Sequence, residues 1–207
     1  KNKRNESVGL SPLQEGRLLN INAVDKACVL NNQFSSVFSF DYSLSPEVKE
    51  PKAPAMDNIK INTTGIIHLL KELNPFKASG PDMVSARCLK ETAEEIAPGL
   101  VILFQASLHQ ANIPNKWCDA IVTPLYKGEN KDCSKDENYR PISLTSVTCK
   151  ILEHIIHSNI MSHLDNHHVL SDAQHGFRKN RSCETQLIVA INEFAKSLKG
   201  TYSSRFF

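Results

Sequence analysis

Apolar residues recur at helical intervals through most of the chain, and the stretch from Ala120 to Thr145 reads instead as short strands around a polar loop. Such a chain folds mostly as helices, with room for one small antiparallel hairpin. The fold class expected is therefore α/β, mostly helical. The clearest stripe runs from about Lys150 to Asn166, where Ile151, Leu152, Ile155, Ile156, Ile160, Met161 and Leu164 share one helix face. A last helix is expected from about Cys183 to Lys199, capped by Ser182, with Leu187, Ala190, Ile191, Phe194 and Leu198 inward. Upstream, Val24, Ala27, Cys28, Leu30, Phe34, Val37 and Phe38 give a helix within Ile21 to Phe40. A second runs from about Thr64 to Leu73, with Thr63 or Thr64 as its cap and Asn74-Pro75 as its end. Helices are expected at Ser85 to Ile96 and Leu100 to Gln110, separated by Pro98-Gly99.

The non-helical stretch begins AIVTPLY, a short strand that Pro124 makes an edge or bulged one. A polar loop, Lys127 to Tyr139, leads to a plausible partner strand from Arg140 to Thr145. Residues 1 to 19 read as a frayed or extended lead-in. Residues 43 to 58 hold Pro46, Pro51 and Pro54 and suit an extended connector, and residues 75 to 82 carry turn chemistry.

Several classes are excluded. Hydrophobic residues are 41% and charged residues 22%, an ordinary globular balance. No apolar run is longer than that of Leu100 to Phe104, which is far short of the ~20 residues a membrane helix needs. The net charge of +2 does not by itself argue nucleic-acid binding. Cys28, Cys88, Cys118, Cys133, Cys149 and Cys183 are scattered, without a C-x-x-C pair, and read as reduced thiols of an intracellular protein. Cys149 and Cys183 are expected in apolar packing. The sequons at Asn5, Asn62 and Asn180 point weakly the other way. There is no nucleophile elbow, no phosphate-cradling P-loop and no H-E-x-x-H. His154 with His157, and His163 with His167, have helical spacing for a metal, but they lack a matching carboxylate and read as the solvated side of their helix. No charged-then-apolar segment follows Lys1, so no secretory leader is expected, and Lys in place of Met suggests a piece of something longer.

One local charge pattern stands out. Gln174 to Cys183, QHGFRKNRSC, holds Arg178, Lys179 and Arg181 with no acid and with Phe177 and Gly176 among them. Cations interleaved with an aromatic are one form of nucleic-acid backbone contact, and a solvated loop before a helix is the other reading.

Taken in order, KASGPD (Lys77 to Asp82), IPNKW (Ile113 to Trp117), the strand with Lys127, NYRPISL (Asn138 to Leu144), KILEHII (Lys150 to Ile156) and QHGFRKNRSCETQL (Gln174 to Leu187) form a series. The series resembles the reverse transcriptase of non-LTR retrotransposons, closest to the jockey-like group, from about Leu69 to Lys199. Asn31 to Ser39 is similar to the segment that precedes the polymerase in such elements. The resemblance implies the fingers and palm entry of a right-hand polymerase, incomplete. It divides the chain into a connector (1–60), the start of a reverse transcriptase (61–200) and a divergent tail (201–207). It implies that Lys127 and Arg140 face a nucleoside triphosphate, which suits a point charge and a planar two-pronged donor. The alternative is an exposed Lys127 and an Arg140 paired to Glu137 or Asp136. Gln174, Gly176, Phe177, Arg178, Lys179 and Arg181 would lie near the template strand, Gly176 allowing close backbone approach. Core packing is the other reading for Phe177.

The resemblance implies a parent enzyme that is a nucleotidyltransferase using Mg²⁺ or Mn²⁺ held by Asp residues, with an RNA template, a DNA primer or target and a deoxynucleoside triphosphate. In this chain the last Asp is Asp172 and no Asp-Asp pair occurs. The expectation is a truncated chain with no catalytic residue of its own, no bound metal, no activity alone and weak non-specific nucleic-acid binding. The rival is a non-catalytic nucleic-acid-binding or helical interaction module derived from such an element. A truncated polymerase leaves the 183–199 helix and the 120–147 strands with exposed apolar faces. No membrane association is expected, and residence is expected in nucleus or cytoplasm.

Overall fold

A computed structural model of the chain describes residues 9–39, 53–128 and 130–203. The expectations for residues 1–8, for the linker around Pro46 and Pro51, and for residues 204–207 lie outside them. The elements are β1 (Leu13–Glu15), β2 (Leu18–Asn20), α1 (Ala23–Ser36), α2 (Thr63–Lys71), α3 (Ala86–Glu91), α4 (Ala93–Gln110), α5 (Asn115–Cys118), β3 (Ile121–Tyr126), β4 (Tyr139–Leu144), α6 (Val147–Asn166) and α7 (Cys183–Ser203), with a 3-10 turn at Asp136–Asn138 before β4. The chain is mostly helical with two small antiparallel hairpins. It divides into two compact units: Lys1–Val48 with Asn58–Ile156, and Lys49–Asp57 with His157–Phe207.

The first unit has its larger core where α2, α3, α4 and the start of α6 meet. Ile66, Leu70, Leu89, Ala97, Phe104, Ile151 and Leu152 are buried there. Trp117 of α5 packs its ring edge-on to Phe104, centroids 5.8 Å apart. The cap of α2 is Asn62, whose side chain accepts the Gly65 N–H at 2.7 Å. Thr63 and Thr64 fall inside the helix instead of capping it, because Asn one position earlier already satisfies the open N–H.

The expected break at Pro98-Gly99 does not occur. The interruption is at Thr92, which leaves helical geometry at φ −105° and ψ 26° and donates its hydroxyl to the Cys88 carbonyl at 2.9 Å. Helix α4 then restarts at Ala93 and runs through Pro98 to Gln110. Proline inside a helix costs about 3 kcal/mol. Burying Phe104 fully returns ~1.5–3 kcal/mol. Ala93 and Ala97 are buried on α4 as well, so packing outweighs the proline and the helix stays whole.

The KASGPD loop is turn chemistry, as read, and Gly80 in it is also a packing residue. A Cβ there would lie 2.6 Å from backbone atoms of Thr145 and Ser146. The fully buried Ser146 accepts the Cys149 N–H at 3.3 Å in the first turn of α6.

The lead-in is not wholly frayed. Residues 13–20 form a hairpin with Leu13 opposite Asn20 and Glu15 opposite Leu18, turned at Gly16 with φ +61°. Leu13 is fully buried, and Val29 and Leu30 of α1 and Tyr139 of β4 join it in a second small core.

The β3–β4 hairpin pairs Ile121 with Leu144, Leu125 with Arg140 and Tyr126 with Tyr139. The Lys127 N–H continues the ladder to the Asn138 carbonyl at 2.8 Å. Hydrogen-bonded pairs therefore fall at 127/138 and 125/140, and the facing Pro124 and Pro141 sit at a non-hydrogen-bonded pair. Neither proline removes a ladder bond.

In the second unit, α7 begins with a reciprocal cap. Thr185 Oγ1 accepts the Ser182 N–H at 2.9 Å, and Ser182 Oγ accepts the Thr185 N–H at 3.3 Å. This bears out Ser182 as the cap. The inward stripe is not borne out: Leu187, Ile191, Phe194 and Leu198 are all more than half exposed, and only Ala190 is half-buried. The helical spacing is correct, but no described residue covers that face.

Candidate functional site

Alternation along β3 and β4 sorts the hairpin into two faces. One carries Val122, Pro124, Tyr126, Tyr139, Pro141 and Ser143. Its two tyrosines join the core with Leu13, Val29 and Leu30, and the rest lines an apolar groove of about 760 Å³ beside α1. The other face carries Ile121, Thr123, Leu125, Lys127, Arg140, Ile142 and Leu144. Ile121, Val122, Leu125 and Ile142 are 41–53% exposed, so apolar surface is left open on the strands.

Lys127 and Arg140 thus share the exposed face at its loop end. Because Leu125 pairs with Arg140 and Lys127 with Asn138, the two cations are diagonal neighbours, a separation of roughly 7–8 Å in an antiparallel pair. The alternative pairing of Arg140 with Glu137 or Asp136 is absent: Arg140 makes no ion pair with any described residue. Lys127 is exposed and donates to the backbone carbonyl of Glu137, which uses one of its three donors.

The polar loop between the strands is tightly tied. Tyr126 donates its hydroxyl to the Lys131 carbonyl, and Tyr139 donates to the Cys133 carbonyl at 2.7 Å. Their rings lie 5.6 Å apart. Asp132 accepts the Ser134 N–H at 2.9 Å and the Ser134 hydroxyl at 2.7 Å. Those bonds hold the Asp132 carboxyl below its ordinary range. Burial, then the neighbouring Cys133 and Tyr126, pushes the Tyr139 phenol up. The sequence reading passed over Tyr126, Tyr139 and Asp132. The available signal was two tyrosines bracketing one polar loop at equal distances from its centre.

The basic loop lies in the second unit and differs from the bare cation run of the sequence. Arg178 pairs with Asp165 at 3.0 Å and donates to the Ser171 carbonyl at 3.1 Å. Arg181 pairs with Asp172 at 3.0 Å and also donates to its carbonyl. The acids lie outside the run, so counting charge within it missed them. The Arg178 and Arg181 side chains are 17% and 26% exposed, and Lys179 is the cation left open to solvent. Phe177 is wholly exposed, with φ +58°, which rules out core packing within the described residues. A Cβ on Gly176 meets nothing within 4 Å among the described residues, so no close approach within them requires glycine there. Gln174 donates to the Gly176 carbonyl at 3.4 Å, holding the turn that presents Phe177.

Cys149 is buried, and burial first, then Glu153, raises its thiol pKa to about 11. Cys183 is exposed, which corrects its expected packing: it opens α7 on the loop side. The rings of His163 and His167 lie 4.4 Å apart, and His167 Nδ1 is 3.0 Å from the His163 carbonyl. Among the described residues no three His, Cys, Asp or Glu side chains converge. No helix among them is long and apolar enough to cross a membrane.

No protein-family model matches the chain. Among curated proteins it is 26% identical over 155 residues, 75% of its length, to a probable RNA-directed DNA polymerase from transposon BS of Drosophila melanogaster. It is 22% identical over 82% of its length to the RNA-directed DNA polymerase from mobile element jockey of the same species. A probable RNA-directed DNA polymerase from transposon X-element, also of Drosophila melanogaster, is 27% identical over 54% of the chain. The chain spans less than a fifth of the length of these relatives. Their agreement bears out the resemblance carried by the ordered loop motifs: the chain is similar to part of the RNA-directed DNA polymerases of non-LTR retrotransposons.

Proposed function

We propose that the chain is the fingers and palm entry of a retrotransposon reverse transcriptase, a nucleotidyltransferase, with the β3–β4 hairpin as its nucleotide-contacting element. The observation that carries this is the shared exposed face of Lys127 and Arg140 at the loop end of the hairpin. A triphosphate is a dense anion. Two cations with donors to spare, one a point charge and one a fork, offer it complementary contacts. The basic loop supplies the nucleic-acid contact. Lys179 provides charge, Phe177 provides a stacking face, and Arg178 and Arg181 hold the loop's shape, with Gln174 and Gly176 in the same turn.

In the parent enzyme the partners are an RNA template, a DNA primer or target and a deoxynucleoside triphosphate, with Mg²⁺ or Mn²⁺, inside the cell. The 207 residues hold no Asp-Asp pair for the metal ions, so alone they do not polymerise, and their nucleic-acid contact is the weak one of the basic loop. Titration with a deoxynucleoside triphosphate tests the hairpin. Arg140→Ala weakens binding by about tenfold, the loss of a charge-assisted contact. Equal affinity in Arg140→Ala and wild type removes the hairpin from the account. Primer extension on a primed RNA template tests the rest, with no template-dependent incorporation expected.

A further inference from the structure

The 127–138 loop takes its fixed points from the N-terminal part of the first unit. Its own sequence, mostly polar and charged, has almost nothing to bury, and a loop of that kind alone samples many shapes. Here the Gln14 N–H of β1 donates to the Ser134 carbonyl at 2.7 Å. Tyr139 buries its ring against Leu13, Val29 and Leu30 and reaches past them to the Cys133 carbonyl. Helix α1 packs on β1 and on the 3-10 turn Asp136–Asn138. Lys26 of α1 donates to the Leu10 carbonyl at 2.7 Å, tying the chain before β1 to that helix. Glu137, whose carbonyl receives the Lys127 ammonium, sits in that same turn.

We propose that residues 10–36 are a brace for this loop, that Tyr139 is the positioning residue at the joint, and that the brace sets where Lys127 meets a triphosphate. The last clause rests on the nucleotide-contact reading above. The segment ahead of the hairpin is then a working part of the nucleotide site instead of a connector. A loose loop would let the Lys127 ammonium range over many positions, and each contact to an anion would first have to order it.

The test uses the full chain and two readouts. Tyr139→Phe keeps the ring and removes only the hydroxyl, and Gln14→Pro removes the bond from β1. Hydrogen exchange at the 130–138 amides accelerates about fivefold in Tyr139→Phe, the factor carried by one neutral hydrogen bond, while the amides of α2 and α4 do not change. Affinity for sodium tripolyphosphate falls by a similar factor, and Tyr139→Phe adds no further loss to Lys127→Ala. Loop exchange unchanged in both variants overturns the brace. Additive losses in the double variant overturn the positioning role, because Tyr139 then does not act through Lys127. A wild-type chain that ignores tripolyphosphate defeats the nucleotide reading and the last clause with it, and the exchange data still decide the brace.

Discussion

The backbone of Gly80 lies against that of Thr145 so closely that a Cβ on Gly80 would come within 2.6 Å of the Thr145 carbonyl oxygen. The contact locks the loop after α2 to the entry of α6. Both neighbours are backbone, so neither can swing aside. Gly80→Ala is expected to destabilise the first unit by about 3 kcal/mol, the upper part of the range for overpacking. A urea midpoint equal to that of wild type would show that the loop and the helix entry are not packed as described.

Thiol chemistry should separate one cysteine from five. Cys149 is buried with its thiol raised to about 11, and the other five are exposed. Iodoacetamide on the native chain at pH 8 is expected to label the five and spare Cys149 until denaturant is added. Mass spectrometry counts the labels. The same shift gives a pH dependence. The unfolded thiol titrates near 9 and the folded one near 11, so its contribution to stability is complete below pH 9 and is lost as pH rises through 11. A denaturant midpoint that does not decline across that window in wild type, relative to Cys149→Ala, contradicts it.

Arg178 and Lys179 are adjacent and should behave differently. Arg178→Ala breaks the Asp165 pair and the Ser171 bond, so exchange should quicken in residues 169–182. Lys179→Ala leaves the loop intact and should lower the salt slope of RNA binding by about 1. Identical behaviour of the two variants in both assays contradicts the division of labour.

The open face of α7 should bind a hydrophobic dye. Leu187 is 60% and Phe194 69% exposed. Leu187→Ser with Phe194→Ser is expected to reduce the fluorescence of bound anilinonaphthalene sulfonate several-fold while leaving far-ultraviolet helix content intact. Dye binding that persists in the double variant locates the apolar surface elsewhere.

Much of this was legible in the sequence, because the helices rest on periodicity and the β3–β4 hairpin on its turn-bounded strands. The C-terminal end of α6, Ser182 as the cap of α7 and the shared face of Lys127 and Arg140 follow from local rules. What local rules missed was settled by partners distant in sequence. Pro98 looked like a terminator because proline is one in isolation, and the burial of Ala93, Ala97 and Phe104 overrode it. The cation run at 178–181 looked bare because Asp165 and Asp172 lie up to 13 residues upstream. The β1–β2 hairpin is too short for an alternating pattern, and Leu13 stays in place by packing with α1 and β4.

The two prolines of the β3–β4 hairpin bear on how this chain meets its own copies. At Pro124 and Pro141 the nitrogen that carries no hydrogen points outward, one on each free edge and at the same level. A strand arriving from either side would find a donor missing midway along its path. Sideways recruitment into a growing sheet, the first step toward amyloid, is thereby interrupted on both flanks at once. The exposed Ile121, Leu125 and Ile142 can then gather neighbours through side chains alone, which favours loose, reversible clustering over ordered fibres.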